Sequence, residues 1–126
     1  VEPRRQDLRE YTARPDYALG AHTAPLGLTF AQDLKLGEKW DSGAFVGLHG
    51  SWNRVPASGY KVVFVPFGDR GLPVADSKPV DVLTGFLNAD GQAQGRPVGV
   101  TADRTGALLV ADDVGNVIWR VSATQP

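Results

Sequence analysis

Seven side chains in this sequence have the chemistry to grip a polar ligand: His22, His49, Trp52, Arg54, Arg96, Asp112 and Asp113. An imidazole donates or accepts a hydrogen bond and can move a proton near neutral pH. A guanidinium grips a carboxylate with two parallel hydrogen bonds, and an indole offers a stacking surface. Imidazole, guanidinium and indole together suit an anionic, planar ligand. Two lone histidines so far apart do not make a metal motif, and the Asp-rich stretches do not match an EF-hand loop. The Gly-x-Ser-x-Gly elbow, the P-loop and the Gly-x-Gly-x-x-Gly fingerprint are all missing.

These residues matter together only if the fold gathers them. Short runs rich in Val, Phe and Ile, bounded by Gly, Pro, Asn and Asp, predict strands over 26–31, 44–48, 60–67, 80–86, 98–102, 107–112 and 117–121. In consecutive antiparallel strands, the start of one lies at the same end of the sheet as the finish of the next. His22 precedes the first strand, His49 follows the second, Arg96 precedes the fifth, and Asp112 and Asp113 close the sixth. All five are therefore expected at one rim, with Trp52, Asn53 and Arg54 in the long connection above it. The opposite rim receives the polar stretch 32–42, which could hold a short helical turn, and the tight turn 103–106.

The strand runs also repeat. Pro25-Leu26-Gly27-Leu28-Thr29, Ala44-Phe45-Val46-Gly47 and Gly59-Tyr60-Lys61-Val62-Val63-Phe64-Val65 are echoed by Pro97-Val98-Gly99-Val100-Thr101, Leu108-Leu109-Val110-Ala111 and Gly115-Asn116-Val117-Ile118-Trp119-Arg120-Val121. A repeated multi-strand unit cannot bury its own faces alone, so it predicts a propeller or another stacked β array. The fold class is all-β, a partial β-propeller of two to three blades. At 126 residues the chain is too short to close a ring of four or more blades, so missing sequence or a second chain is expected.

Composition narrows the function. The chain is 42% hydrophobic and 21% charged with a net charge of −1, a globular balance without the basic excess that nucleic acid attracts. No apolar stretch approaches the roughly 18 residues of a membrane span, and no secretory signal is legible. Cysteine is absent, which removes disulfides and thiolate metal sites. Methionine is absent even at position 1, so a processed product or a fragment is expected. Residues 1–14 lack periodicity and read as an extended lead-in, and their arginines, interleaved with Glu2, Asp7 and Glu10, read as a solvated face. Propeller blades occupy 15–126.

Each candidate has a plain structural alternative. His22 could simply bond loop backbone, Trp52 could plug the space between blades, and Arg96 could clamp neighbouring loops. Asp112 and Asp113 could satisfy turn amides, and Gly47 and Gly99 read as close-packing positions.

Four stretches carry a resemblance: Gly20 through Leu28, Phe45 through Arg54, Gly59 through Phe67, and Gly95 through Val100 continuing with Asp112 through Val121. Here the chain resembles the C-terminal part of L-sorbosone dehydrogenase-type proteins, relatives of the soluble quinoprotein glucose and aldose sugar dehydrogenases. The resemblance implies a six-bladed β-propeller that binds pyrroloquinoline quinone (PQQ) with calcium on its top face. It implies oxidation of a sugar or aldehyde by hydride transfer to the quinone, in the periplasm or outside the cell. Arg96 corresponds to the first arginine of an Arg-x-Arg pair that contacts the quinone, and Val98 replaces the second. His22 falls near a cofactor-contacting threonine and His49 near a cofactor-contacting lysine, while Arg54 could supply the missing charge. Trp52 joins this set as a stacking surface. The family's catalytic histidine and main calcium loop belong to earlier blades, so the resemblance implies that this segment is inactive alone and works with the remaining blades. Two other readings stay open: a propeller that binds protein or carbohydrate without redox chemistry, and a calcium-dependent, lactonase-like propeller.

Overall fold

The run Gly43–Leu48 has no polar side chain, so it can exist in water only as a strand covered on both faces. The protein, a computed structural model that describes residues 6–124, buries every residue of this strand, β2. Around it β1 (Pro25–Phe30), β3 (Lys61–Pro66) and β4 (Val80–Leu83) complete an antiparallel sheet in the order β1-β2-β3-β4. A second antiparallel sheet follows in the order β5-β6-β7, from Pro97–Ala102, Leu108–Asp112 and Val117–Val121. The strands form on the seven β-rich runs of the sequence. The fourth is shorter than expected, because Gly85 takes a positive φ and turns the chain out of the ladder.

The period-two alternation of each strand builds two apolar layers. Phe45 lies directly opposite Phe64, and with Val62 they face Val100, Leu108 and Val110 of the second sheet. The Phe45 and Phe64 rings lie 4.9 Å apart, and Trp40 meets Phe64 edge-on at 5.4 Å. Burial of each such side chain contributes about 1.5–3 kcal/mol, so this layer is what holds the two sheets together. Val46, Leu48, Val63 and Val65 point the other way and are covered by Tyr17, Leu19 and Phe67.

The sheets meet along β1, β2 and β5, where backbone approaches backbone. A Cβ on Gly47 would stand 2.6 Å from the Val98 carbonyl oxygen, so only glycine admits β5 at this distance. Gly99 is different: a Cβ there would meet nothing within 4 Å. Its own side faces open space, and the close approach at Gly99 rests instead on Gly27, whose Cβ would stand 2.8 Å from the Gly99 Cα.

The lead-in is not extended throughout: Gln6–Tyr11 forms a 3-10 helix, with Asp7 in its first turn; residues 1–5 lie outside the described residues. The segment lacks alternating apolar residues to pair with a sheet, while a carboxylate near a helix N-terminus is favourable. The polar stretch between β1 and β2 holds two more 3-10 turns, Ala31–Asp33 and Glu38–Trp40. They stand at the lower rim, where the Lys35 N–H donates to the Gly106 carbonyl at 2.8 Å. There Asp103 accepts hydrogen bonds from Thr105, Arg120 and the Ala107 N–H, which hold its carboxyl well below the usual carboxylate range.

Candidate ligand-binding rim

Antiparallel pairing delivers the candidate residues to the upper rim as the strand order requires. β2 ends at Leu48, and His49 and Gly50 donate their N–H groups to the carbonyls of Ala24 and Thr23, each at 2.9 Å. This ties the end of β2 to the loop that carries His22. On the second sheet, Arg96 enters β5 as Asp112 leaves β6, and Pro97 lies opposite Asp112.

Arg96 joins the two sheets. Its Nε donates to the His49 carbonyl at 2.9 Å and its Nη2 to the Gly50 carbonyl at 2.7 Å, while the guanidinium lies 5.0 Å from the centre of the Tyr60 ring. The Tyr60 hydroxyl in turn donates to the Ser51 carbonyl. Gly50 is needed here, since a Cβ would run into the Tyr60 ring. The clamping role that a strand-start arginine could have is therefore its observed geometry. Two of its five N–H groups are used by these carbonyls.

Asp112 fixes Arg96 from below. The carboxylate is buried; its Oδ1 accepts from the backbone N–H of Arg96 (2.8 Å), Gly115 (2.7 Å) and Val114 (3.2 Å), and its Oδ2 from the Trp119 indole (3.1 Å). Burial alone would raise its pKa. The Gly115, Arg96, Trp119 and Val114 donors outweigh it, and the carboxyl is held below its ordinary value. Its neighbour Asp113 faces outward, where both oxygens accept from His49 Nε2, the closer at 3.0 Å. Asp112 does satisfy turn amides, as its position after a strand suggests. What the sequence did not reveal is that Asp113 and Tyr60 reach across to His49 and Arg96, because both contacts join residues distant in the chain.

The remaining candidates stand further out. Arg54 Nη1 donates to the Ala21 carbonyl at 3.1 Å, and the Ser58 hydroxyl contacts the carbonyls of Ala21 and His22. His22 is exposed with a φ of +61°. The Trp52 ring is 88% exposed, so it does not plug the space between the sheets. Val98 lines a shallow rim recess with Asp113, Asn116 and Ile118. Among the described residues, no cluster of three or more His, Asp or Glu side chains could hold a metal ion, and no helix is long and apolar enough to cross a membrane.

The chain is similar to several known proteins. The chain is 38% identical over 123 residues to a pyrroloquinoline quinone-dependent pyranose dehydrogenase of Coprinopsis cinerea, covering 82% of this chain and 16% of that protein. It is 36% identical over 105 residues to an uncharacterized protein of Borreliella burgdorferi, covering 83% and 27%. Among solved structures, the holo form of the Coprinopsis cinerea pyranose dehydrogenase PQQ domain superimposes with a TM-score of 0.70 at 33% identity, over 91% of this chain and 30% of that one. The calcium structure of a Trichoderma reesei carbohydrate-active enzyme of family AA12 gives 0.65 at 29%, over 82% and 25%. The chain thus spans less than a third of each of these relatives. A family model described as TrAA12-like matches residues 5–124, nearly the whole length, and the chain belongs to the TrAA12-like family.

Proposed function

We propose that this chain is a segment of two to three blades from a six-bladed β-propeller dehydrogenase of the sorbosone and aldose type, which oxidises a sugar or aldehyde with PQQ and calcium. The observation that carries this reading is the set of hydrogen-bond donors at the upper rim, in a chain similar to a PQQ domain. Arg96 keeps N–H groups beyond the two given to His49 and Gly50. His49 stands beside it, Arg54 and His22 lie further out on the neighbouring loops, and Trp52 offers an open aromatic face. Of the two aspartates that end β6, Asp112 is enclosed by amide donors and Asp113 is paired with His49. The donor set therefore fits a ligand with three carboxylates such as PQQ.

When bound, PQQ takes up the hydride removed from the sugar carbon, and the protein supplies binding and orientation. In this reading Arg96 and Arg54 hold carboxylate or carbonyl oxygens, His49 and His22 add further polar contacts, and Trp52 stacks. The described residues offer no acidic cluster for calcium, which is assigned to residues outside this chain, together with the catalytic base.

The outer faces support further blades. Leu28 and Phe30 of β1 are 57% and 53% exposed on the first sheet, and Ile118 is 71% exposed on the second. An apolar cavity of about 160 Å³ lies beside Leu28, lined by Tyr17, Leu19, Val46, Val65 and Phe67. Packing against neighbouring blades, from the same polypeptide or a second chain, would remove this surface from water. A periplasmic or secreted location belongs to the same proposal.

The test is reconstitution of the whole polypeptide carrying this segment with PQQ and calcium, followed by dye-linked oxidation of sorbosone and a panel of aldoses. Cofactor-dependent reduction of the dye is expected. Its absence across the panel would remove the catalytic reading. A second reading, a propeller that binds without redox chemistry, is favoured by Val98 and by the use of Arg96 as a clamp. Sugar or protein binding without uptake of PQQ would support it.

A further inference from the structure

His49 is held at both ends by the second sheet. Arg96 takes its carbonyl, and Asp113 takes its imidazole through Nε2 at 3.0 Å. An ionised carboxylate only accepts hydrogen bonds, so the proton of that contact sits on Nε2. Nδ1 is then the nitrogen left without a protein partner among the described residues. The imidazole side chain is only 19% exposed, whereas Asp113 is 59% exposed. The ring is thus partly enclosed, with one nitrogen committed and the other uncommitted. Without Asp113 the ring could turn over or carry its proton on either nitrogen.

Resting on the proposed function, we propose that Asp113 is a positioning residue: it commits His49 Nε2 so that Nδ1 is offered as an acceptor to a donor of the cofactor, which in PQQ is the pyrrole N–H. The Arg96 clamp fixes where the His49 backbone sits, and Asp113 fixes which nitrogen serves. Because the pair spans two sheets, the second sheet sets the ligand chemistry of a residue that belongs to the first. Asp113 does not itself touch the ligand in this arrangement.

The experiment uses the whole polypeptide with PQQ as the probe, in wild type and in Asp113→Ala, Asp113→Asn, His49→Ala and the His49→Ala/Asp113→Ala double variant. Imidazole ¹⁵N resonances of His49 are read without cofactor, and PQQ affinity is read by titration. Asp113→Ala is expected to move His49 from a single Nε2–H form to a mixture of tautomers. It should weaken PQQ about two- to fivefold, the range for losing a partly exposed ion-pair partner. Asp113→Asn keeps an acceptor oxygen and should recover most of the affinity. In the His49→Ala background, Asp113→Ala should cost nothing further. Unchanged His49 resonances in Asp113→Ala, or an equal loss with and without His49, would overturn the proposal. If wild type takes up no PQQ, the cofactor reading falls with it, while the resonances still decide whether Asp113 sets the tautomer.

Discussion

Asp112→Asn keeps the size of the side chain and removes one of its two acceptor oxygens. In the native rim, Oδ1 receives three backbone N–H groups and Oδ2 receives the Trp119 indole. With asparagine, the carbonyl oxygen keeps the three backbone donors, so Nδ2 must face the indole N–H. Two donors then oppose one another, and the three surviving bonds lose the help of a full charge. An unsatisfied buried donor costs about 1–3 kcal/mol, and a bond to a charged acceptor is worth roughly twice a neutral one. Water can reach the indole from the side, because Trp119 is 46% exposed, which removes part of that cost. We expect a loss of about 2–4 kcal/mol in denaturant unfolding followed by tryptophan fluorescence, with an unchanged m value.

The pH dependence supplies an independent check. The native carboxyl is held below its ordinary value of 3.8, so this group stabilises the fold fully above that pH. The contribution is lost as pH falls through the lower native value, because a protonated Asp112 resembles the amide. The gap between wild type and Asp112→Asn should therefore be constant near neutrality and shrink below pH 3.8. A variant within about 0.5 kcal/mol of wild type at neutral pH would refute the hydrogen-bond accounting, since ordinary surface changes already reach that size. A gap that persists unchanged into acid would refute the electrostatic part.

Arg96→Lys keeps the charge but replaces a planar fork with a single ammonium, which cannot span the His49 and Gly50 carbonyls while lying over Tyr60. It should cost about 1–3 kcal/mol of stability in the same unfolding measurement and weaken PQQ binding, whereas full stability would show that the clamp is dispensable. Gly47→Ala should destabilise by about 1–3 kcal/mol through collision with the Val98 carbonyl, while Gly99→Ala, facing open space, should lie near neutral; equal effects in thermal unfolding would remove the close-approach explanation.

The rim also shows where sequence reasoning stops. Period-two alternation and turn residues located the seven strands of the described residues, because those signals are local and follow from backbone geometry. Antiparallel order then placed His22, His49, Arg96, Asp112 and Asp113 at one end, since the chain must reverse at each turn. The same local signals misjudged the lead-in, where a polar stretch without alternation closes into a 3-10 helix. They also treated Gly47 and Gly99 alike. The two differ only in which sheet face they occupy, and that depends on how the sheets stack.

The amino-acid sequence by itself determined the strand runs, the repeat, which polar side chains reach the rim and the absence of cysteine chemistry. Only the tertiary structure decided who partners whom. Arg96 meets the carbonyls of His49 and Gly50, and Asp113 meets the His49 ring, because two sheets separated in the chain pack through β1, β2 and β5. Hydrogen bonds act over about 3 Å, so a rotation of one sheet that no local pattern encodes would unmake each of these contacts.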